Sequence, residues 1–195
     1  MAGPFAAVVL AAGSARRFGG GKLTAPFAGR PLIAGALAAA RAAPVDLVVV
    51  VTGADAEAVA AAARAADPAA RLVHAPDHAE GMAASLRTGV AAVPPGLAGA
   101  FVFLGDMPRV PHAVLAPMAE AVRAGALAAA PTFAGRRGNP VLLASALFPQ
   151  VAGLRGDQGA RPILERLGAG LVLVDAPDDG VLFDVDAPGD LGPRP

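Results

Sequence analysis

Cysteine, tyrosine and tryptophan are absent from this 195-residue chain, and lysine occurs once. The lack of cysteine excludes disulfides, thiolate-ligated metals and thiol nucleophiles together, and it fits a reducing compartment. With neither tyrosine nor tryptophan, stacking platforms for bases have to come from phenylalanine, histidine or arginine. Net charge is missing too, since sixteen acidic residues balance sixteen basic ones. That leaves no basic footprint for nucleic acid and no polybasic surface for anionic lipid, so neither is expected as a partner. Apolar residues make up 55% of the chain, but proline interrupts the longest uncharged runs: Pro94 and Pro95 in 88–105, Pro140 and Pro149 in 138–154. Such breakers argue against the spanning helix of ~20 residues that a bilayer requires. The apolar N-terminus has its arginines after the apolar run instead of before it, unlike a signal peptide. A soluble, cytoplasmic protein is expected.

The single lysine closes a stretch that runs Leu10-Ala11-Ala12-Gly13-Ser14-Ala15-Arg16-Arg17-Phe18-Gly19-Gly20-Gly21-Lys22. Glycines there let backbone approach a ligand closely, and the cations suit an anionic one. The other fifteen basic residues are arginines, so a lone ammonium marks a position that needs a compact charge on a flexible stem. A triphosphate cradle is the working expectation. It is not a P-loop, because Arg16 stands where the first glycine is required and Leu23 follows the lysine. Nor is it a dinucleotide fingerprint, since Ala15 and Thr24 fall on required glycines.

Strand and helix patterns alternate along the chain. Apolar runs at 5–10 and 100–104, and the Val-rich stretch 46–51 that shows no alternation, predict strands buried on both faces. Further strands are expected at 71–74, 127–131, 141–143 and 171–175. Helices are expected at 31–43 (with Pro31 in the first turn), 54–66, 80–92 after a loop, 114–124 and 160–167. The alternation predicts a three-layer α/β/α, Rossmann-like domain around a mostly parallel sheet. In that architecture ligands bind at the carboxyl ends of the strands, where both the glycine loop and Asp106 fall. One domain covering 1–191 is expected, with a loose tail at 192–195.

Four other segments carry chemistry-bearing residues. Asp106 in Gly105-Asp106-Met107-Pro108 can ligate magnesium that bridges substrate phosphates, or cap the following helix. In Glu80-Gly81-Met82-Ala83-Ala84-Ser85-Leu86-Arg87, Gly81 permits close backbone approach, and Ser85 either caps the helix or reaches a ligand. Asp184 and Asp186, spaced i, i+2 on an extended segment, point the same way; they form either a solvated acidic loop or a shared cation site. The arginines of Gly135-Arg136-Arg137-Gly138-Asn139-Pro140 and Gly156-Asp157-Gln158-Gly159-Ala160-Arg161 read equally as phosphate clamps or as surface charge. His74, His78 and His112 have no metal-ligand spacing.

The glycine stretch resembles the N-terminal signature of the MobA-like nucleotidyltransferases, Leu-Ala-(Ala/Gly)-Gly-x-Ser-x-Arg-(Met/Phe)-Gly-x-x-Lys. Leu10, Ala11, Ala12, Gly13, Arg17, Phe18, Gly19 and Lys22 fill the expected places. The family's serine position holds Ala15, with Ser14 one residue earlier. The other segments resemble later family motifs in the same order, with Ala83, Ala187 and Gly189 as departures. The resemblance implies a GT-A-like nucleotide-diphospho transferase fold. It implies nucleotide contacts from Leu10, Ala11, Ala12, Gly13, Ser14, Gly19, Lys22, Gly81, Met82 and Ser85, and catalytic roles for Lys22, Arg17 and Asp106. It further implies Mg2+ on Asp106, Asp186 and Asp184, and acceptor contacts from Arg137, Asn139, Pro140, Asp157 and Arg161. Leu-Ala-Ala-Gly and Gly-Met-x-x-Ser-Leu favour the branch that acts as CTP:molybdenum cofactor cytidylyltransferase (MocA-like). The guanylyl branch more often has glycine at the place of Ala12 and aspartate at that of Gly21. The implied reaction moves CMP from CTP to the terminal phosphate of a molybdopterin-type acceptor, with transient contact to a molybdenum hydroxylase. The alternatives are a related transferase using GTP, another nucleotide or a different phosphorylated acceptor, and a non-catalytic accessory protein that binds molybdenum cofactor.

Overall fold

The computed structural model describes residues 3–15 and 17–192. Residues 193–195 of the expected tail lie outside them. In chain order the elements are β1 (Phe5–Ala11), β2 (Pro26–Phe27), β3 (Arg30–Pro31), α1 (Ile33–Ala42), β4 (Val45–Thr52), α2 (Ala56–Ala66), β5 (Arg71–His74) and α3 (Met82–Ala91). They continue with β6 (Gly99–Leu104), α4 (Leu115–Arg123), β7 (Ala128–Phe133), β8 (Arg136–Arg137), β9 (Val141–Ala144), α5 (Phe148–Ala152), α6 (Arg161–Arg166) and β10 (Leu171–Asp175).

The main sheet runs β10-β7-β9-β6-β1-β4-β5, with β8 paired to β7. Parallel pairing joins β1 to β4 and β6, β4 to β5, and β10 to β7. β9 alone of the long strands reverses, lying antiparallel to β6 and β7. The mostly parallel, three-layer α/β/α expectation therefore holds. β1 shows why these residues make such a sheet. All seven of its residues are buried. Phe5, Ala7, Val9 and Ala11 face the layer formed by α1 and α4, while Ala6, Val8 and Leu10 face the layer of α3, α5 and α6. A strand covered on both faces has no use for polar alternation. Phe5 is fully buried and meets Phe101 edge-on at 6.0 Å between centroids.

Pro31 departs from the expectation, because it closes β3 and does not open α1. β2 and β3 form a tight antiparallel ribbon in which Pro26 faces Pro31. Its two turn residues, Ala28 and Gly29, have φ of 49° and 78°. Positive φ at both turn positions suits a hairpin, and that local geometry outcompetes the helix until Ile33. Two glycines set how closely the layers approach the site. A Cβ on Gly35 of α1 would lie 2.6 Å from Pro108 backbone, and one on Gly53 after β4 would lie 2.5 Å from the Ala12 carbonyl oxygen.

The C-terminal segment after β10 crosses back over the carboxyl ends of the strands. The Arg109 guanidinium stacks on Phe183 at 4.4 Å and on Phe27 at 5.4 Å, and the Val181 carbonyl accepts from the Asn139 amide. No helix among the described residues is long and apolar enough to cross a membrane.

Candidate functional site

The site begins where β1 stops. Ala12 is still tied to the next strand, its carbonyl accepting from Ala54 at 3.2 Å. Gly13, Ser14 and Ala15 lie beyond the ladder, and among the described residues no protein acceptor takes their amide protons. The chain then reverses at Ala15, whose φ is 47° and whose carbonyl accepts from the amides of Phe18, Gly19 and Gly20 at 3.0, 3.1 and 3.3 Å. Gly19, Gly20 and Gly21 all have positive φ, a run that side-chain-bearing residues resist. The Gly21 amide is then caught by the Asp55 carboxylate at 3.2 Å, which pins the loop to the start of α2. This return brings Lys22 back over the strand ends.

There the lysine meets Asp106, which directly follows β6. Lys22 Nζ lies 2.6 Å from Asp106 Oδ2 and 2.9 Å from the Val185 carbonyl oxygen. The pair is largely enclosed, with 13% and 23% of the two side chains exposed. The Val185 amide in turn donates to the Asp106 carbonyl at 3.1 Å, so the C-terminal segment is locked to the same turn. Asp106 caps no helix, since the next helical turn starts only at His112.

Arg17 reaches Asp186 at 3.1 Å on the rim. Asp186 is held in turn by Asp190, whose Oδ2 accepts from the amides of Asp186 and Ala187 at 3.0 and 2.8 Å. Along this segment Phe183 and Val185 point inward while Asp184 and Asp186 are exposed, the expected i, i+2 placement. Loss of hydration raises the Asp184 carboxyl above its ordinary value of 3.8, and the charges of Asp186 and Asp106 raise it further. The expected trio of metal ligands is not drawn together. Among the described residues no group of three or more acidic or histidine side chains is arranged to hold a metal ion. The physical reason is that Lys22 and Arg17 already neutralise Asp106 and Asp186. Two hard oxygen donors still face one cavity, a set that fits a magnesium-type cation whose other ligands are phosphate oxygens and water.

That cavity has a volume of about 600 Å³. Leu10, Ala11, Ala12, Gly13, Ser14 and Lys22 line it together with Gly81, Met82 and Ser85, and so do Arg17, Asp106 and Asp186. Gly19, expected among the nucleotide contacts, does not line it, because its place is in the turn under Ala15. Asp184 does not line it either. Ser85 is no cap. Gly81 is the N-cap of α3, and Ser85 sits inside the helix, 5% exposed, on the cavity wall. Phe18, His78 and Ala79 also line the cavity and were not anticipated. The available signal for His78 was its place just after β5, at a strand's carboxyl end.

A second cavity of about 330 Å³ adjoins the first and shares Leu10, Met82, Leu104 and Asp157 with it. Arg137, Asn139 and Arg161 line it. Pro140 is buried and does not line it. Asp157 is already engaged, accepting the Met82 amide at 3.0 Å.

Residues 7–171 match the family model described as the MobA-like NTP transferase domain. The purine catabolism protein PucB of Bacillus subtilis is 36% identical over an alignment of 206 positions, covering 93% of this chain and 91% of that protein. The nicotine blue oxidoreductase of Paenarthrobacter nicotinovorans is 33% identical over 187, covering 92% and 90%. Among solved structures, Rv0371c of Mycobacterium tuberculosis superposes with a TM-score of 0.81 at 28% identity, covering 97% of this chain and 96% of that one. A further structure of that mycobacterial protein is a complex with manganese, matched with a TM-score of 0.74 at 27% identity over 90% of this chain and 89% of that one.

Proposed function

This chain belongs to the MobA-like NTP transferase family, and we propose that it is a cytidylyltransferase moving CMP from CTP to the terminal phosphate of a molybdopterin-type acceptor. Residues 1–191 act in this reading as one cytoplasmic transferase domain. The observation that carries it is the meeting of Lys22 and Asp106 at 2.6 Å in a cavity that shares Leu10, Met82, Leu104 and Asp157 with a second, arginine-lined one.

The triphosphate lies along the free amides of Gly13, Ser14 and Ala15, with Lys22 and Arg17 turning from their carboxylates to its oxygens. The base rests against Gly81, Met82 and Ser85. Arg137 and Arg161 hold the acceptor phosphate in the adjoining cavity, with Asn139 beside them. An oxygen of that phosphate attacks the α-phosphorus in line, the bond to the bridging oxygen breaks, and pyrophosphate leaves. Such a reaction needs positioning and charge neutralisation more than covalent help. Losing a preorganised group aimed at the developing charge costs about 3 kcal/mol of barrier. Asp106 and Asp186 would hold Mg2+, which when bound supplies neutralisation of the phosphate charge. That Rv0371c forms a complex with manganese supports the use of a divalent ion in this reading.

The curated relatives carry names from other contexts, purine catabolism and oxidoreduction, which favours keeping the accessory reading beside the catalytic one. Pyrophosphate release measured with each NTP, molybdenum cofactor and Mg2+ separates them. Release with CTP alone is expected. Release with GTP or another nucleotide reassigns the base, and cofactor binding without turnover for any NTP makes the chain an accessory binder. Transient contact with a molybdenum hydroxylase belongs to both readings.

A further inference from the structure

The two cavities are stitched together by one loop. The amide of Met82, the first residue of α3, donates to Asp157 Oδ1 at 3.0 Å, and the Ala83 amide donates to the Gly156 carbonyl at 3.0 Å. Arg87 on the same helix donates to the Leu154 carbonyl at 2.7 Å. A Cβ on Gly81 would stand 2.6 Å from Asp157 Oδ1, and one on Gly159 would stand 2.7 Å from the Met82 sulfur. A helix start that would otherwise leave donors open is therefore capped from 75 residues away. The cap is the segment that leads into Arg161 of the second cavity.

From this geometry we infer that Asp157 is a positioning residue and not an acceptor ligand. It joins the 155–161 loop to the Gly81-Met82 wall, so that a ligand ordering one loop orders the other. The inference rests on the proposed placing of nucleotide in the first cavity. A carboxylate is a poor partner for an incoming phosphate, but it is a strong acceptor for a helix-start amide. Coupling of this kind is reciprocal: nucleotide must tighten acceptor binding by the factor with which acceptor tightens nucleotide binding.

Asp157→Asn keeps an oxygen acceptor at the helix start, whereas Asp157→Ala removes it. CTP with Mn2+ is titrated calorimetrically into the full-length wild type and both variants, and amide hydrogen exchange is followed at 81–85 and 155–161. In the wild type CTP is expected to slow exchange in both segments. In Asp157→Ala the affinity for CTP falls about tenfold, the range of a lost helix N-cap, and protection no longer spreads to 155–161. Asp157→Asn stays within about threefold of wild type, as an asparagine N-cap does. Unchanged CTP affinity and exchange in Asp157→Ala overturns the latch, as does an Asp157→Asn variant that fails like the alanine one. If the wild type binds no nucleotide, the proposed function fails instead. The latch is then judged on ligand-free exchange at Met82 and Ala83, where an unchanged rate in Asp157→Ala overturns it.

Discussion

Replacing Lys22 with methionine removes the ammonium and keeps the length of the side chain. At 2.6 Å from Asp106, its attraction amounts to about 6 kcal/mol at an effective dielectric near 20. Desolvation and the partial exposure of the pair offset most of that, leaving roughly 2 kcal/mol of net stabilisation in the ligand-free protein. The same energy opposes any divalent cation that competes for Asp106. Lys22→Met should therefore lower unfolding free energy by about 2 kcal/mol and tighten Mn2+ binding without nucleotide by about thirtyfold. It should also reduce kcat by ~10² or more, because the triphosphate loses its point charge. Free Mn2+ is counted by electron paramagnetic resonance at several protein concentrations. Mn2+ affinity that stays the same or falls would refute the idea that the lysine and the cation contest one carboxylate.

Asp106→Ala should abolish turnover with the circular dichroism spectrum intact; normal activity, or an unfolded chain, would sink the ligand assignment. Asp184→Asn tests the charge of the strand-end acids. The folded protein holds the Asp184 proton more tightly than the unfolded chain, so its contribution favours folding below the ordinary value of 3.8 and is lost as pH rises through the raised folded value. The variant should melt higher than wild type at pH 7, and that gain should vanish near pH 3. Gly35→Ala sets helix propensity against packing: alanine gains about 1 kcal/mol in α1, but its Cβ would sit 2.6 Å from Pro108 backbone, a clash that costs about 1–3 kcal/mol. Net destabilisation in urea and displacement of the Asp106 turn, read as a weaker response of activity to Mg2+, are expected. Phe5→Ala should cost about 3–5 kcal/mol in the same urea assay with little change in the ligand affinity of the fraction that stays folded.

Much of the fold was legible because β1 and β6 are continuous apolar runs that suit a doubly covered strand, whereas β4 carries Asp46 and is buried only over its last four residues. The reversal of β9 was not, since Val-Leu-Leu-Ala is apolar throughout and carries no sign of strand direction. The helix α5 spans five residues and falls below what periodicity can detect. Pro31 misled because proline suits a helix start and a ribbon edge alike. At the site, the residue types were readable but not their pairings. Lys22 and Asp106 are 84 positions apart, and that the ligand-free lysine would rest on the carboxylate follows only from the tertiary placement of two strand ends. Asp157 stood among the acceptor contacts only through the family resemblance, while its Met82 partner is a backbone amide that no sequence pattern displays.

The long return of the C-terminal segment bears on how the chain comes off a ribosome. Arg17 waits for Asp186, 169 residues later, and the Lys22 ammonium waits 163 residues for the Val185 carbonyl. A nascent chain that has emerged as far as β10 already owns its glycine loop and Asp106, yet lacks Phe183 to cover Arg109 and the second carboxylate at the rim. Closing such distant contacts is slow compared with forming local helices. Assembly of the site is thereby deferred until residues 183–186 have emerged, and a chain cut short after residue 180 would keep most of its sheet without ever acquiring a finished site.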